Sequence, residues 1–297
     1  MRLVTFILDD CEKVGSLKGD RIVDLGAARV LKLLSQGSSV EKAVNTAREE
    51  IPDSMVRFIE GGKETLAVAG QAEAFVLSNE KLREAVHFVE DVKLKAPIPN
   101  PPMVWNMGNA YRPFPVYRFI AKPITSVIGP DDPIVIPREM LDELGPVYEI
   151  ELGIIIGKRG KRIPNNETAY DYVYGYTIYN DVTDYGGQIE GKFPYTKMHD
   201  TFCPMGPCIT TKDEIQDPYN LMKRVWVNGQ LASERSTQEM VRKIPEFISV
   251  PSQTVTLVPG TVLSGGARDA GRIKPKDTVE LEITNIGRLR NPVVAEE

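Results

Sequence analysis

Four prolines within ten residues, Lys93-Leu94-Lys95-Ala96-Pro97-Ile98-Pro99-Asn100-Pro101-Pro102, divide this chain into parts with different hydrophobic periods. Proline lacks a backbone donor and its ring clashes with a preceding helical turn, so neither a helix nor an inner strand runs through such a segment. Before it, from Ser39 to about Glu90, the pattern is helical: Val40, Ala43, Val44 and Ala47 share one helix face. Further amphipathic segments at 54–60 and 66–84 are broken at Gly61-Gly62 and Gly70. Residues 1 to about 30 read as short strands, with a hairpin from Val14 to Leu25 turning at Lys18-Gly19-Asp20. Beyond the prolines, β-branched runs recur between Pro/Gly turns: 134–136, 150–156, 172–179, 224–227, 255–258 and 278–283, with Ser236 to Arg242 as one short helical candidate. The pattern predicts a β-dominated α+β fold, with a small mixed α/β domain over 1–92 and a strand-rich body over 93–297.

At 297 residues, with 42% hydrophobic and 26% charged, the chain is long enough for a sizeable core. Thirty-six Lys and Arg against 41 Asp and Glu leave a formal charge of −5, which offers nothing to a phosphate backbone and argues against a nucleic-acid partner. No stretch approaches the roughly 18 apolar residues that span a bilayer. The apolar run at Leu3 to Leu8 is too short for a secretory signal, so no membrane partner is expected. Three cysteines, Cys11, Cys203 and Cys208, have no paired spacing, which predicts a reducing cytoplasm rather than a disulfide framework. Only two histidines, His87 and His199, are available to any zinc site or His-based triad.

The segment Val147-Tyr148-Glu149-Ile150-Glu151-Leu152-Gly153-Ile154-Ile155-Ile156 carries the strongest chemical signal. Side chains alternate along a strand, so Glu149 and Glu151 project from one face, about 7 Å apart. All their neighbours are apolar or glycine except Tyr148, and two carboxylates buried there lose hydration and repel each other. A divalent cation would neutralise them, and so would arginine or lysine on a polar sheet face. A third carboxylate, Asp181, follows the strand-like Tyr174-Gly175-Tyr176-Thr177-Ile178-Tyr179. Ligation by oxygen alone selects hard cations, Mg²⁺ first, then Mn²⁺ or Ca²⁺.

Ordered motifs extend this segment. Lys95-Ala96-Pro97, Ala121-Lys122-Pro123 and Gly129-Pro130-Asp131-Asp132-Pro133-Ile134 precede Tyr148-Glu149-Ile150-Glu151-Leu152. Gly175-Tyr176-Thr177, Asn180-Asp181-Val182-Thr183, Lys197 to Gly206 and Leu257-Val258-Pro259-Gly260 follow it. In this order they resemble the fumarylacetoacetate hydrolase superfamily over about residues 94–293, and the N-terminal part is also similar. The resemblance implies an FAH-type mixed β-sandwich or roll, with Glu149, Glu151 and Asp181 as metal ligands. It also implies a small-molecule 2-oxo acid or 1,3-dicarbonyl substrate, and a homodimer. Three substrate-facing elements depart from the family pattern. The family's G-x-N-Y-x-x-H-x-x-E stretch, with its water-activating His/Glu dyad, reads Met107-Gly108-Asn109-Ala110-Tyr111-Arg112-Pro113-Phe114 here; S-A-R-D becomes Thr183-Asp184-Tyr185-Gly186; T-G-T becomes Ser264-Gly265-Gly266.

A cation held by three carboxylates keeps positions open for two substrate oxygens, polarises a carbonyl and stabilises an enolate. C–C hydrolysis, decarboxylation, dehydration and keto–enol tautomerisation share that intermediate, and the acid or base chooses among them. The family label puts C–C hydrolysis first, with a lyase, dehydratase, decarboxylase or tautomerase as alternatives and a non-catalytic metabolite binder as the rival of another class. By resemblance, Lys122 is the first candidate for an electrophile or proton donor, against pairing with a metal carboxylate. His199 is the alternative catalytic candidate, as a displaced base or a structural histidine. Tyr111, Arg112, Gln188, Lys197, Gly265, Gly266 and Arg268 are expected to face substrate, with Arg112 and Arg268 standing in for the lost carboxylate-binding groups. The basic Lys158-Arg159-Gly160-Lys161-Arg162 reads as a solvated turn.

Overall fold

A computed structural model describes residues 1–79, 81–108, 110–112, 119–141, 145–192 and 195–297, with the side chains at 83, 188 and 189 also outside the description. The first strand, Arg2–Leu8, buries Leu3, Val4 and Phe6 completely, so it is covered on both faces. Strands Cys11–Lys18 and Arg21–Asp24 form the expected hairpin, with Leu17 opposite Ile22 and Gly19 in the turn at φ 63°, a left-handed conformation that glycine adopts without strain. The expected strands end sooner than position 30. Asp24 accepts a hydrogen bond from the Ala27 N–H at 2.9 Å and caps a helix, Leu25–Ser35, that buries Leu25 and Ala28. Helices Val40–Glu50, Met55–Glu60 and Gly62–Leu77 occupy the segment with helical periodicity.

Among the described residues, one sheet of fourteen strands runs through the molecule. Ten of them follow the path 86–88, 21–24, 11–18, 2–8, 203–211, 173–180, 146–156, 262–264, 104–107 and 119–122, and the short strands 93–94, 127–128, 183–184 and 270–272 pair beside it. The N-terminal strands belong to this sheet, because Arg2 pairs with Thr210 and Leu3 with Ile209. The proline segment lies against the first strand: the Lys95 N–H donates to Thr5 O at 2.9 Å and the Thr5 hydroxyl to Pro97 O at 2.7 Å. A second sheet of five described strands has the order 230–236, 222–227, 278–283, 287–295 and 134–136.

The central strand Pro146–Ile156 separates two cores. Ile150, Leu152 and Ile154 join Val225, Leu281 and Leu289 of the five-stranded sheet, whereas Ile155 joins Phe58, Ile59 and Ala69 from the helices. The large sheet is therefore sandwiched between helices and a smaller sheet, a β-dominated α+β architecture. Two expected elements differ. Residues 255–258 contribute only an isolated bridge, Gly160 to Leu257, and the helical candidate at 236–242 is a single 3-10 turn, Thr237–Glu239, followed by an α-helix at Ile244–Ser252 with Pro245 in its first turn. Lys158, Arg159, Lys161 and Arg162 are exposed in a turn. No helix among the described residues is long and apolar enough to cross a membrane.

Candidate metal centre

The carboxylates meet because of strand register. Ile150 pairs with Asn180 and Glu151 with Tyr179 across antiparallel strands. Asp181, one residue further, donates its N–H to Glu149 O at 2.9 Å and so stands across from Glu149. Asn180 Oδ1 accepts from the Glu149 N–H at 3.0 Å and fixes this end of the pairing. One carboxylate oxygen from each of Glu149, Glu151 and Asp181 lies within 4.8 Å of the others. Glu151 and Asp181 are buried, and Glu149 is partly open.

Two lysines enter the cluster. Lys122, fully buried at the end of strand Phe119–Lys122, lies 2.8 Å from Asp181 Oδ1 and donates to Phe202 O at 2.7 Å and Val182 O at 3.2 Å. These three partners occupy its ammonium, so it braces Asp181. Lys197 donates to Glu149 Oε2 at 2.9 Å, to Thr183 Oγ1 at 2.6 Å and to Asp181 Oδ2. Burial works against the Lys197 ammonium, yet Asp181 and Glu149 outweigh it and hold its pKa above the ordinary lysine range.

Three carboxylates against two ammonium groups leave one negative charge in excess. Burial, with Asp181 and Glu149 nearby, pushes the Glu151 carboxyl up to about 8. Burial also raises Glu149, with partial relief from Lys197. Burial opposes ionisation of Asp181 too, but Lys122 and Lys197 prevail and hold it below the ordinary carboxylate range. Glu151 has neutral support from the Gly266 N–H, which donates to Oε2 at 2.9 Å, while the nearby Ser264 hydroxyl donates to Asn106 Oδ1 at 3.0 Å. Without a further cation the set keeps a proton. A buried, all-oxygen, under-compensated cluster therefore fits a hard divalent ion such as Mg²⁺ or Mn²⁺.

The remaining candidates divide by position. Gly266, at φ 83°, brings its N–H to Glu151, and Gly265 O accepts from the Ala110 N–H at 2.8 Å. That bond ties the loop to Tyr111, whose phenol is buried and feels Glu151, Asp269 and Glu239. Arg112 is exposed, Arg268 pairs with Glu239 at 2.8 Å on the surface, and the Gln188 side chain lies outside the described residues. His199 packs its ring against Phe202 at 5.1 Å; among the described residues no hydrogen bond or ion pair joins it to the carboxylates. His87 lies 6.1 Å from the Phe6 ring in the N-terminal part. Asn180 and Thr183 were legible only as motif members without a role, and the buried Lys223 was not picked out. Lys223 was legible as a lysine at the inward position of an alternating strand, next to Arg224 and two before Val225.

Fold and carboxylate cluster together define a β-dominated body with a buried acidic triad that could hold a cation. The family model "Fumarylacetoacetate (FAA) hydrolase C-terminal" matches residues 104–294. The chain belongs to the fumarylacetoacetate hydrolase superfamily and is an enzyme of its hydrolase or isomerase kind. It is 35% identical over 284 residues to oxaloacetate tautomerase fahd2, mitochondrial, of Xenopus laevis, covering 89% of this chain and 85% of that one. It is also 35% identical over 268 residues to oxaloacetate tautomerase YisK of Bacillus subtilis, covering 82% and 88%. Among solved structures, maleylpyruvate hydrolase of Sphingobium sp. SYK-6, in complex with manganese(II) ion and pyruvate, superposes with a TM-score of 0.79 at 29% identity over 100% of both chains. The 5-carboxymethyl-2-hydroxymuconate delta-isomerase of Mycobacterium smegmatis gives 0.73 at 28% identity, again over 100% of both.

Proposed function

We propose that this chain is a divalent-cation-dependent keto–enol tautomerase acting on a small dicarboxylic 2-oxo acid of the oxaloacetate kind. One observation carries the reading: the carboxylate centre contains lysines but neither of the chain's two histidines. Hydrolytic C–C cleavage, the activity that resemblance puts first, needs a base that activates water. Tautomerisation moves one proton between carbon and oxygen and consumes no water. The printed activities of the Xenopus and Bacillus relatives support the same choice.

Glu149, Glu151 and Asp181 would hold Mg²⁺ or Mn²⁺, which when bound supplies Lewis-acid polarisation of the 2-oxo group. The chain's own groups position that centre. Lys122 fixes Asp181, and the Gly266 N–H fixes Glu151. Lys197 keeps its proton between Glu149 and Asp181 and presents a preset positive charge where enolate charge develops. The body over 93–297 contains all of these residues, and the part over 1–92 supports it through the shared sheet.

The test is oxaloacetate in D₂O with Mg²⁺-loaded protein, followed by NMR. Deuterium entering C3 faster than in the protein-free control, with the carbon skeleton intact, is the expected result. Release of C–C cleavage or decarboxylation products at the same rate, or no acceleration at all, overturns the proposal.

A further inference from the structure

Lys223 is the most anomalous residue outside the carboxylate cluster. Strand Met222–Val227 alternates, with Arg224 and Trp226 on the more open face and Lys223 and Val225 buried between the sheets. Lys223 is 0% exposed. Its Nζ lies 3.3 Å from Ile150 O, 3.5 Å from Asp269 Oδ2 and 4.4 Å from the centroid of the Tyr111 ring. Asp269 is shared, because Arg235, opposite Lys223 on the adjacent strand, donates to its other oxygen at 3.2 Å. Two cations thus meet one carboxylate, and the Lys223 charge is only partly matched. Burial pushes its ammonium below the ordinary lysine range, while Asp269 and Glu151 pull it back up.

A buried, incompletely paired ammonium costs stability, and an apolar residue of similar volume would fill this space as well or better. The three partners account for its use. Ile150 sits between Glu149 and Glu151 on the central strand. Asp269 lies three residues after Gly266, whose N–H supports Glu151. Tyr111 follows Ala110, whose N–H donates to Gly265 O. Lys223 touches all three. An ammonium at this distance from an aromatic face holds the ring by cation–π attraction, which desolvation strengthens. The Tyr111 phenol is buried within the influence of Glu151 and Asp269, so the ring that Lys223 holds belongs to the surroundings of the carboxylate centre.

We infer that Lys223, braced by Asp269, is a positioning residue of the active centre: it sets Tyr111 and the Gly265–Asp269 segment against the carboxylate strand and so shapes substrate binding without holding the cation. The inference rests on the proposed 2-oxo acid chemistry of the same site. Its test therefore reads ligand binding as well as turnover.

The experiment uses full-length Lys223→Met and Lys223→Arg loaded with Mn²⁺, titrated calorimetrically with oxalate, with kcat and KM measured on enol oxaloacetate. Lys223→Met is expected to keep Mn²⁺ affinity within twofold and to unfold at no lower temperature. Its oxalate affinity should fall at least tenfold and its KM rise more than its kcat falls, with Lys223→Arg recovering part of the loss. Tyr111→Leu approaches the contact from the other side and should show the same loss of oxalate affinity, whether or not Lys223→Met folds. Oxalate affinity within twofold of wild type in Tyr111→Leu, or in folded Lys223→Met, overturns the inference. Mn²⁺ affinity lost in parallel with oxalate affinity also overturns it. Absence of turnover in wild type would strike the tautomerase reading, while the oxalate titrations would still decide the role of Lys223.

Discussion

Glu151 shows how one residue links burial to chemistry. Its carboxyl keeps a proton up to about 8 in the metal-free fold, against an ordinary value of 4.5. The metal-free fold therefore binds more protons than the unfolded chain in that window, and it loses stability as pH rises through it. A cation must displace this proton, so Mn²⁺ affinity should rise close to tenfold per pH unit toward 8 and then level off. Calorimetry in buffers of different ionisation enthalpy measures the proton released; affinity independent of pH from 6 to 8 would contradict the assignment. His199 behaves differently. Burial lowers its pKa, and its described ring contact is with Phe202. His199→Ala should slow turnover by less than tenfold, under about 1.4 kcal/mol, in a steady-state assay. The carboxylates were legible because charge in an apolar strand is conspicuous. Lys122 and Lys197 were legible only as motif members, since the pairing of both with Asp181 depends on side chains meeting across strands.

Among the elements, the loop after strand Val262–Ser264 does most to shape the centre. Its Gly266 takes a left-handed φ of 83° and aims a backbone N–H at Glu151. A β-carbon there is strained, so Gly266→Ala should destabilise the fold by about 2 kcal/mol, read as a lower urea midpoint at unchanged m-value. The hairpin turn at Gly19 and the helix over 40–50 followed from local chemistry, a turn glycine and a 3.6-residue period. The helix at 25–35 did not stand out, because it begins directly after a strand whose last residue is also its cap. The failed strand at 255–258 carries β-branched residues but finds only one bridge partner, Gly160. Propensity without a neighbouring edge does not make a strand.

At the scale of the molecule, the proline segment marks a change of period without separating the sheet. Strand Arg2–Leu8 inserts beside Cys203–Thr211, and helices from the first part pack on Ile155, Tyr179 and Met205 of the second. Sequence periodicity reports local structure and is blind to such distant pairing, so the continuity of the sheet was not legible. Thermal unfolding by scanning calorimetry should show one cooperative transition for the full chain; two well-separated transitions would contradict a shared core. The central claim is that Glu149, Glu151 and Asp181 form a cation centre with positions open to substrate. Its most direct test is calorimetric titration of metal-stripped protein with Mn²⁺, with and without oxalate, beside Glu151→Gln. One Mn²⁺ per chain, bound more tightly with oxalate and at least a hundredfold more weakly by Glu151→Gln, is the expected result. No Mn²⁺ binding by the wild-type chain, or equal binding by Glu151→Gln, would contradict the account.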